Sequence, residues 1–376
     1  MLEIERAEGC WLYDVNEKKY LDLISGISVS NLGHNHPVVK NAIREQLEKY
    51  SYLMVYGEFI QSPQVKLAQW LAAHLPGQLS TTYFTNSGTE AVEGALKLAK
   101  RFTGRTEIIS FRNSYHGSTM GALSLGNQEE RKNAFRPLIP GNRIMDYNHF
   151  DQLEDISKKT AAVIMEVVQA EAGVILPAEN YLQDIRERCN QTGALLLFDE
   201  CQTGMGRTGS LFGFQQYSVV PDVIILGKAF GGGMPLGAFV SSKEIMQSFM
   251  TDPVLGHLTT FGGHPVCCAA GLATAEELMK NKLIDDVGRK AELFRKGLSH
   301  PLIKSFRNSG LMIAVEFGSP EMNFELQKRL TAGGLLVDWF LFAPGCLRMA
   351  PPLVISDEEI KFAINLICKV LDGFDR

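Results

Sequence analysis

The sequence predicts an α/β fold built on a mainly parallel sheet. Short apolar runs alternate with longer segments of helical period between residues 82 and 230. Several of those runs end in charged residues or glycine-rich chain, at the strand ends where open parallel sheets hold ligands. With 376 residues, 45% of them hydrophobic and 21% charged, the chain can fill a large core and two domains.

The elements follow in chain order. "ERAEGCWLYDVNEKKYLDLISGI" predicts a strand, a turn at Asn16 and Glu17, and a second strand. His36-Pro37 opens the helix VVKNAIREQLEKY, since proline suits a first helical turn. SPQVKLAQWLAAHL is a second amphipathic helix. Strand TTYFTN leads into helix EAVEGALKLAKRF, and strand TEIISF leads into a loop. Strand AAVIMEVV precedes helix YLQDIRERCNQTG, and strands ALLLFDE and PDVIILGKAF follow. From about Thr260 the pattern becomes α+β: a long helix from GGHPVCCAAGLATAEELMK, helix VGRKAELFRKGL, strand LMIAVEF, helix NFELQKRLTAG and a last helix. That last helix, DEEIKFAINLICKVLDGF, places Ile360, Ala363, Ile364 and Ile367 on one face. No Pro/Ser-rich linker separates the two styles.

Composition narrows the function. The net charge of −5 gives no basic patch suited to nucleic acid. The opening MLEIERAEGC lacks the cationic and apolar regions of a signal peptide, and no apolar run is long enough to span a membrane. Seven cysteines, without a C-x-x-C pair, fit a reducing cytoplasm and argue against disulfides and a thiolate metal site. His34 and His36 in "GHNHP" read as loop structure rather than metal ligands, because no further ligand accompanies them. Neither a G-x-S-x-G elbow nor a Walker A pattern occurs.

Three strand ends carry chemistry. Ser87 and Glu90 in "TNSGTEAVEG" form an S-x-x-E capping box at a helix start, and Gly88 allows a close backbone approach. The segment is either an ordinary cap or an anion site. Asp199 ends the apolar run "LLLFDE" and needs a partner, whether a cap, an ion pair or a ligand. Lys228 follows the run VIIL ahead of glycine-rich chain; it either snorkels or is a desolvated amine reactive toward carbonyls. Together, an anion nest, a buried acid and a buried amine match pyridoxal phosphate, whose phosphate, ring nitrogen and aldehyde want those three groups.

The stretches "FTNSGTEAVEGALKLAK", "FRNSYHGSTMGALSL", "LLLFDECQTGMGRTG", "GKAFGGGMPLGA" and "TTFGGHP" occur in one order across nearly the whole chain. In this the sequence resembles the class III, fold-type I pyridoxal-phosphate aminotransferases of the acetylornithine/ornithine subgroup. The resemblance implies a large domain with a mainly parallel seven-stranded sheet and a small α+β domain. The expected division is 1–50 and 260–376 in the small domain and 51–259 in the large one.

It further implies that Lys228 carries the cofactor as a Schiff base and shuttles the proton, while Asp199 pairs with the ring nitrogen. Gln202 is expected at the ring's phenolic oxygen, Tyr115 against one ring face with His116 beside it, and Ser87, Gly88 and Thr89 at the phosphate. Thr260 would reach the partner subunit's phosphate in a homodimer with shared sites, and Thr259 would line the same edge. Arg348 in "LRMAPP" would clamp a substrate carboxylate, with Glu171 as its neutralising acid and Glu166 as support behind the site. The implied partners are an amino acid donor and a keto-acid acceptor, 2-oxoglutarate or pyruvate.

The sequence departs from the subgroup in places. Ser118 stands after "HG" where arginine is usual, "EVVQAE" replaces EPxQGE, and His264 replaces asparagine in "GGHP". "YLMVYGEFIQSPQ" replaces a tyrosine-rich segment, and Tyr52 and Tyr56 are left to face substrate. These changes spare the cofactor residues and fall on the substrate side. A non-transaminating enzyme of the same fold type and a non-catalytic binding protein are the competing readings.

Overall fold

A computed structural model describes residues 2–374. Its N-terminal ribbon has three strands where the sequence predicts two: β1 (Ile4–Glu8), β2 (Trp11–Asp14) and β3 (Lys19–Asp22). The extra turn falls at Gly9, whose φ of 55° favours glycine.

The central sheet comprises β4 (Thr81–Thr85), β5 (Glu107–Phe111), β6 (Asn142–Met145), β7 (Thr160–Glu166), β8 (Leu195–Asp199), β9 (Val223–Leu226) and β10 (Gly237–Ser241). Its order is β4-β10-β9-β8-β7-β5-β6. β10 runs antiparallel to both its neighbours, and the other pairings are parallel. β7, β8, β9 and β10 are buried along their whole length, as apolar runs covered on both faces must be. Within this sheet, β6 and β10 are the strands the sequence reading missed.

The C-terminal part adds β11 (Ser305–Ser309), β12 (Met312–Glu316), β13 (Leu335–Leu336), β14 (Asp338–Phe340) and β15 (Ala343–Met349). β13 joins the N-terminal ribbon beside β3, while β11, β12, β15 and β14 form a third sheet. The last helix, Asp357–Leu371, starts at a full capping box between Ser356 and Glu359 and buries Ile360, Ala363, Ile367 and Leu371. Among the described residues no helix is long and apolar enough to cross a membrane.

Parallel β7, β8 and β9 stop in register, with Glu166 opposite Asp199 and Asp199 opposite Ile225. Their carboxyl ends therefore bring Glu166, Asp199 and, just past β9, Lys228 to one edge.

Candidate active site

The edge begins at Ser87, the N-cap of helix Gly88–Thr103, whose hydroxyl accepts the Glu90 N–H at 3.3 Å. The reciprocal bond of the expected box is displaced by one residue: Glu90 accepts from Asn86 N at 2.6 Å, not from Ser87 N. The Gly88 and Thr89 amides precede the first intrahelical bond, from Ala91 N to Ser87 O, so they face outward at the positive end of the helix. A Cβ on Gly88 would lie 2.6 Å from Cys201 Sγ, and one on Gly227 would lie 3.2 Å from Gly88 N. Only glycines let the β9 end and this helix start approach so closely.

Lys228 has φ 49°, a left-handed conformation disfavoured by roughly 1–2 kcal/mol for a residue with a side chain. It is half-buried, and its charge acts on Asp199.

Asp199 is 5% exposed and bonded on both oxygens. Oδ1 accepts Cys201 N–H at 3.0 Å, and Oδ2 lies 2.8 Å from His116 Nδ1. Burial raises this acid, but the His116 hydrogen bond and charge, the Cys201 amide and the Lys228 ammonium outweigh it and hold the carboxyl below its usual range. Asp199 therefore stays an anion. His116 Nε2 is buried without a hydrogen-bond partner among the described residues. The sequence places His116 beside Tyr115, which the chain itself guarantees; its bond to Asp199 is what the structure adds.

Glu166 sits behind them. Its two oxygens accept Tyr115 N–H at 3.0 Å and Ala170 N–H at 2.9 Å, which fixes the backbone of the Tyr115 loop. Burial pushes its carboxyl up to about 7 against the pull of His116 and the two amides. Glu200, the second acid of "FDE", turns away: it caps the turn Gly213–Gln216 through the Gly213 and Phe214 amides at 2.9 and 2.7 Å.

Tyr115 is half-buried, and its hydroxyl lies 3.1 Å from Ser118 Oγ. Thr89 Oγ1 meets Thr119 Oγ1 at 2.8 Å, so the Ser118 loop is tied to the helix start.

A second cluster adjoins the first through Gln202. The Gln202 amide donates to Glu171 Oε1 at 3.1 Å; Arg348 Nη2 donates to Oε2 at 2.5 Å, and Leu341 N–H joins it at 3.1 Å. Arg348 and Glu171 are both 3% exposed. Arg348 lies on β15 with its Cζ 4.6 Å from the Phe340 ring centre, and its Nε and Nη1 are buried without partners among the described residues.

Thr259 accepts from Asn86 Nδ2 at 3.1 Å. Thr260 is exposed; its carbonyl takes the Tyr52 hydroxyl at 2.7 Å, and its hydroxyl lies 3.4 Å from Tyr56 OH. Large apolar side chains lie exposed in the same two segments, Phe59 at 56%, Ile60 at 92%, Val254 at 72% and Phe261 at 55%. His34 Nε2 pairs with Asp22 Oδ2 at 2.7 Å and closes the ribbon.

Reasoning from sequence also passed over Arg207. It is wholly buried and donates to Leu311 O, Pro351 O and Asn31 Oδ1, which joins the loop after Asp199 to both chain ends. A charged residue flanked by glycines in "GMGRTG" was its only signal.

The fold is that of fold-type I transaminases. An ornithine aminotransferase from Toxoplasma gondii, solved with partial occupancy of PLP at its active site, superposes with a TM-score of 0.92 at 29% identity, covering 100% of this chain and 92% of its own. An (S)-enantioselective omega-transaminase from Thermomicrobium roseum gives 0.92 at 31% identity, covering 99% and 93%. The family model "Aminotransferase class-III" matches residues 1–371, and the chain belongs to that family. It is a transaminase, 39% identical over 370 residues to an acetylornithine aminotransferase of Methanopyrus kandleri, across 97% of this chain and 93% of that one.

Proposed function

We propose that this chain is a pyridoxal-phosphate-dependent aminotransferase that moves an amino group from an ornithine-like or other ω-amino acid to 2-oxoglutarate in two half-reactions. The observation that carries the reading is the buried Arg348–Glu171 pair, linked by Gln202 to the Asp199 strand end.

The residues present fit the cofactor. An anion that stays charged in the interior, a lysine held in a strained conformation, and outward amides at a helix start supply its three anchors. Ser87, Gly88 and Thr89 would hold the phosphate, Asp199 the ring nitrogen, Tyr115 a ring face and Gln202 the phenolic oxygen. When bound, the cofactor supplies an electron sink for the substrate carbon that loses its proton.

The chain's own groups do the rest. Lys228 Nζ, free as the neutral amine once substrate is held, would take the proton from the carbon bearing the reacting amine and deliver it to the cofactor carbon that had carried the aldehyde, and the reverse direction would run the same transfer backwards. His116, with its proton on Nδ1, donates to Asp199 and fixes the orientation of the anion. Glu166 and Thr119 hold the Tyr115 loop in place. Arg348 has a pair of unbonded nitrogens for a keto-acid carboxylate, and Glu171 balances its charge when no carboxylate is present.

Sharing of sites between two subunits belongs to the same reading. It is supported by exposed Thr260 and by the apolar side chains around it, a combination a monomer would leave in water. Small, neutral Ser118 favours a second reading, a broad ω-amine aminotransferase using pyruvate.

A half-reaction screen tests the proposal. Loaded enzyme is mixed with single donors, and loss of the bound aldehyde's visible absorbance is followed. Ornithine-like donors should bleach it and 2-oxoglutarate should restore it. Restoration by pyruvate alone would select the second reading; no bleaching by any amine would reject both.

A further inference from the structure

A cavity of about 390 Å³ lies against the Tyr115–Ser118 loop and extends to the short helix Glu129–Lys132. Phe135 and Phe342 form apolar walls, and Glu130, Arg131 and Lys132 also line it.

The three charged groups are not equivalent. The Lys132 ammonium is spent on the Gly126 carbonyl at 2.6 Å and the Ser124 carbonyl at 3.4 Å, and the residue is buried. Neighbouring Glu129 is taken by Arg136 through both oxygens at 2.7 and 2.6 Å, so it does not neutralise Arg131. Arg131 is exposed and forms no ion pair among the described residues; its Cζ stands 5.7 Å from the centre of the Phe342 ring.

Phe342 belongs to the turn that also holds the Arg348 cluster. Its N–H donates to Glu171 O at 3.0 Å, and Leu341 N–H donates to the Glu171 carboxylate. Two arginine–phenylalanine pairs therefore flank one turn: Arg348 on Phe340, buried and neutralised, and Arg131 on Phe342, open and uncommitted. An arginine beside an aromatic face, with its fork unpaired, is a strong receptor for carboxylate.

We propose that Arg131 is a specificity-determining residue for the amino donor, binding the carboxylate at the end remote from the reacting amine. The donor's carbon chain crosses the cavity along Phe342, and Glu130 offers the opposite charge to the α-ammonium beside that carboxylate. The preferred donor is thus an ω-amino acid with a free amino-acid end. The inference rests on the aminotransferase reading above and assigns a residue that reading leaves out.

The test compares ornithine with 1,4-diaminobutane, the same chain without the carboxylate, on loaded wild-type enzyme and on Arg131→Ala and Arg131→Lys. The readout is the ratio of kcat/KM for the two donors. Arg131→Ala should lower that ratio about 10-fold, the modest size expected for a charge-assisted pair at an exposed rim, mainly through KM for ornithine. Arg131→Lys should recover part of it. An unchanged ratio in Arg131→Ala, with both donors still reacting, overturns the inference and leaves the aminotransferase reading standing. A wild type that reacts with other amines but not with ornithine overturns the inference through its donor. A wild type that reacts with no amine overturns both.

Discussion

Gln202 and Glu171 are joined by a 3.1 Å hydrogen bond, so the carboxylate that neutralises Arg348 is held on both of its oxygens. On the proposed reading, Glu171 is thereby fixed where it would compete with a substrate carboxylate. Removing either member of the ion pair should act unequally on the two half-reactions, with the keto-acid step the more damaged by loss of Arg348 and the ω-amine step by loss of Glu171. Arg348→Ala should slow the keto-acid half-reaction by more than 10-fold, since a charge-assisted bond is worth about 1.5–3 kcal/mol, and should affect the ω-amine half-reaction less. Glu171→Gln should lower the keto-acid KM and slow the ω-amine half-reaction, because Arg348 then stays charged and unbalanced. Stopped-flow measurement of each half-reaction decides this. Equal losses in both for Arg348→Ala would mean there is no switch.

Asp199 is an anion in the interior only because His116, the Cys201 amide and Lys228 hold it there. Asp199→Asn should reduce single-turnover rates roughly 10- to 150-fold, the equivalent of about 1.5–3 kcal/mol if the whole charge acts in the transition state. His116→Gln, which keeps a hydrogen-bond donor but not the imidazole that orients Asp199, should fall between wild type and Asp199→Asn. Lys228→Ala should fold normally and lose covalent attachment; borohydride reduction of the wild type should label this lysine alone. Label on a different lysine, or single-turnover rates untouched by Asp199→Asn, would dismantle the assignment.

Glu166 offers a stability signature with a definite sign. Its carboxyl rises from 4.5 to about 7 because burial outweighs His116 and the two amides. A raised value means the folded protein binds this proton more tightly than the unfolded chain. The contribution is therefore complete below about pH 4.5 and is lost as pH climbs through 7, on the order of 3 kcal/mol in total. Glu166→Gln removes that dependence. It also leaves Tyr115 N–H or Ala170 N–H facing an amide donor, so the variant should be less stable at every pH. The gap in melting temperature between wild type and variant should thus narrow from pH 5 to pH 8. A constant gap would show that Glu166 is already ionised at pH 5.

The strand ends were legible because Asp199 and Lys228 interrupt apolar runs, and such runs are the strongest sequence signal a buried parallel strand gives. β10 was not: it has five residues behind a glycine-rich run, and its antiparallel direction depends on pairing with β4 and β9. β15 was hidden for another reason. Its first residues, Ala343-Pro344-Gly345, have loop chemistry, so Arg348 was placed by its motif and not by a strand. The contacts between His116 and Asp199, 83 residues apart, and between Arg348 and Glu171, 177 apart, arise from sheet order and domain packing. Periodicity and spacing carry no trace of either; only the family resemblance implied the second pair.

Thr260 gives the test of the shared site. Among the described residues of a single chain its hydroxyl reaches only Tyr56 at 3.4 Å, and the surrounding segments leave Ile60 92% and Val254 72% exposed. Burying those side chains against a second copy would stabilise a dimer, at about 25 cal/mol per Å² of apolar surface removed from water. On the proposed shared-site reading, each Thr260 would then serve the partner's helix start at Gly88. Thr260→Ala should therefore weaken cofactor retention, measured by dialysis against phosphate buffer, while leaving the dimer intact. Lys228→Ala homodimers should be inactive. Heterodimers of Lys228→Ala with Thr260→Ala, purified on two affinity tags, then decide the geometry. If Thr260 serves the partner's site, one of the two sites carries both substitutions and the other carries neither. The Lys228→Ala subunit's own site receives the substituted Thr260 from its partner, and the other site keeps Lys228 and an intact Thr260. Such heterodimers should show one site of wild-type affinity. If Thr260 serves its own subunit, each site carries one substitution, and no site retains cofactor as the wild type does.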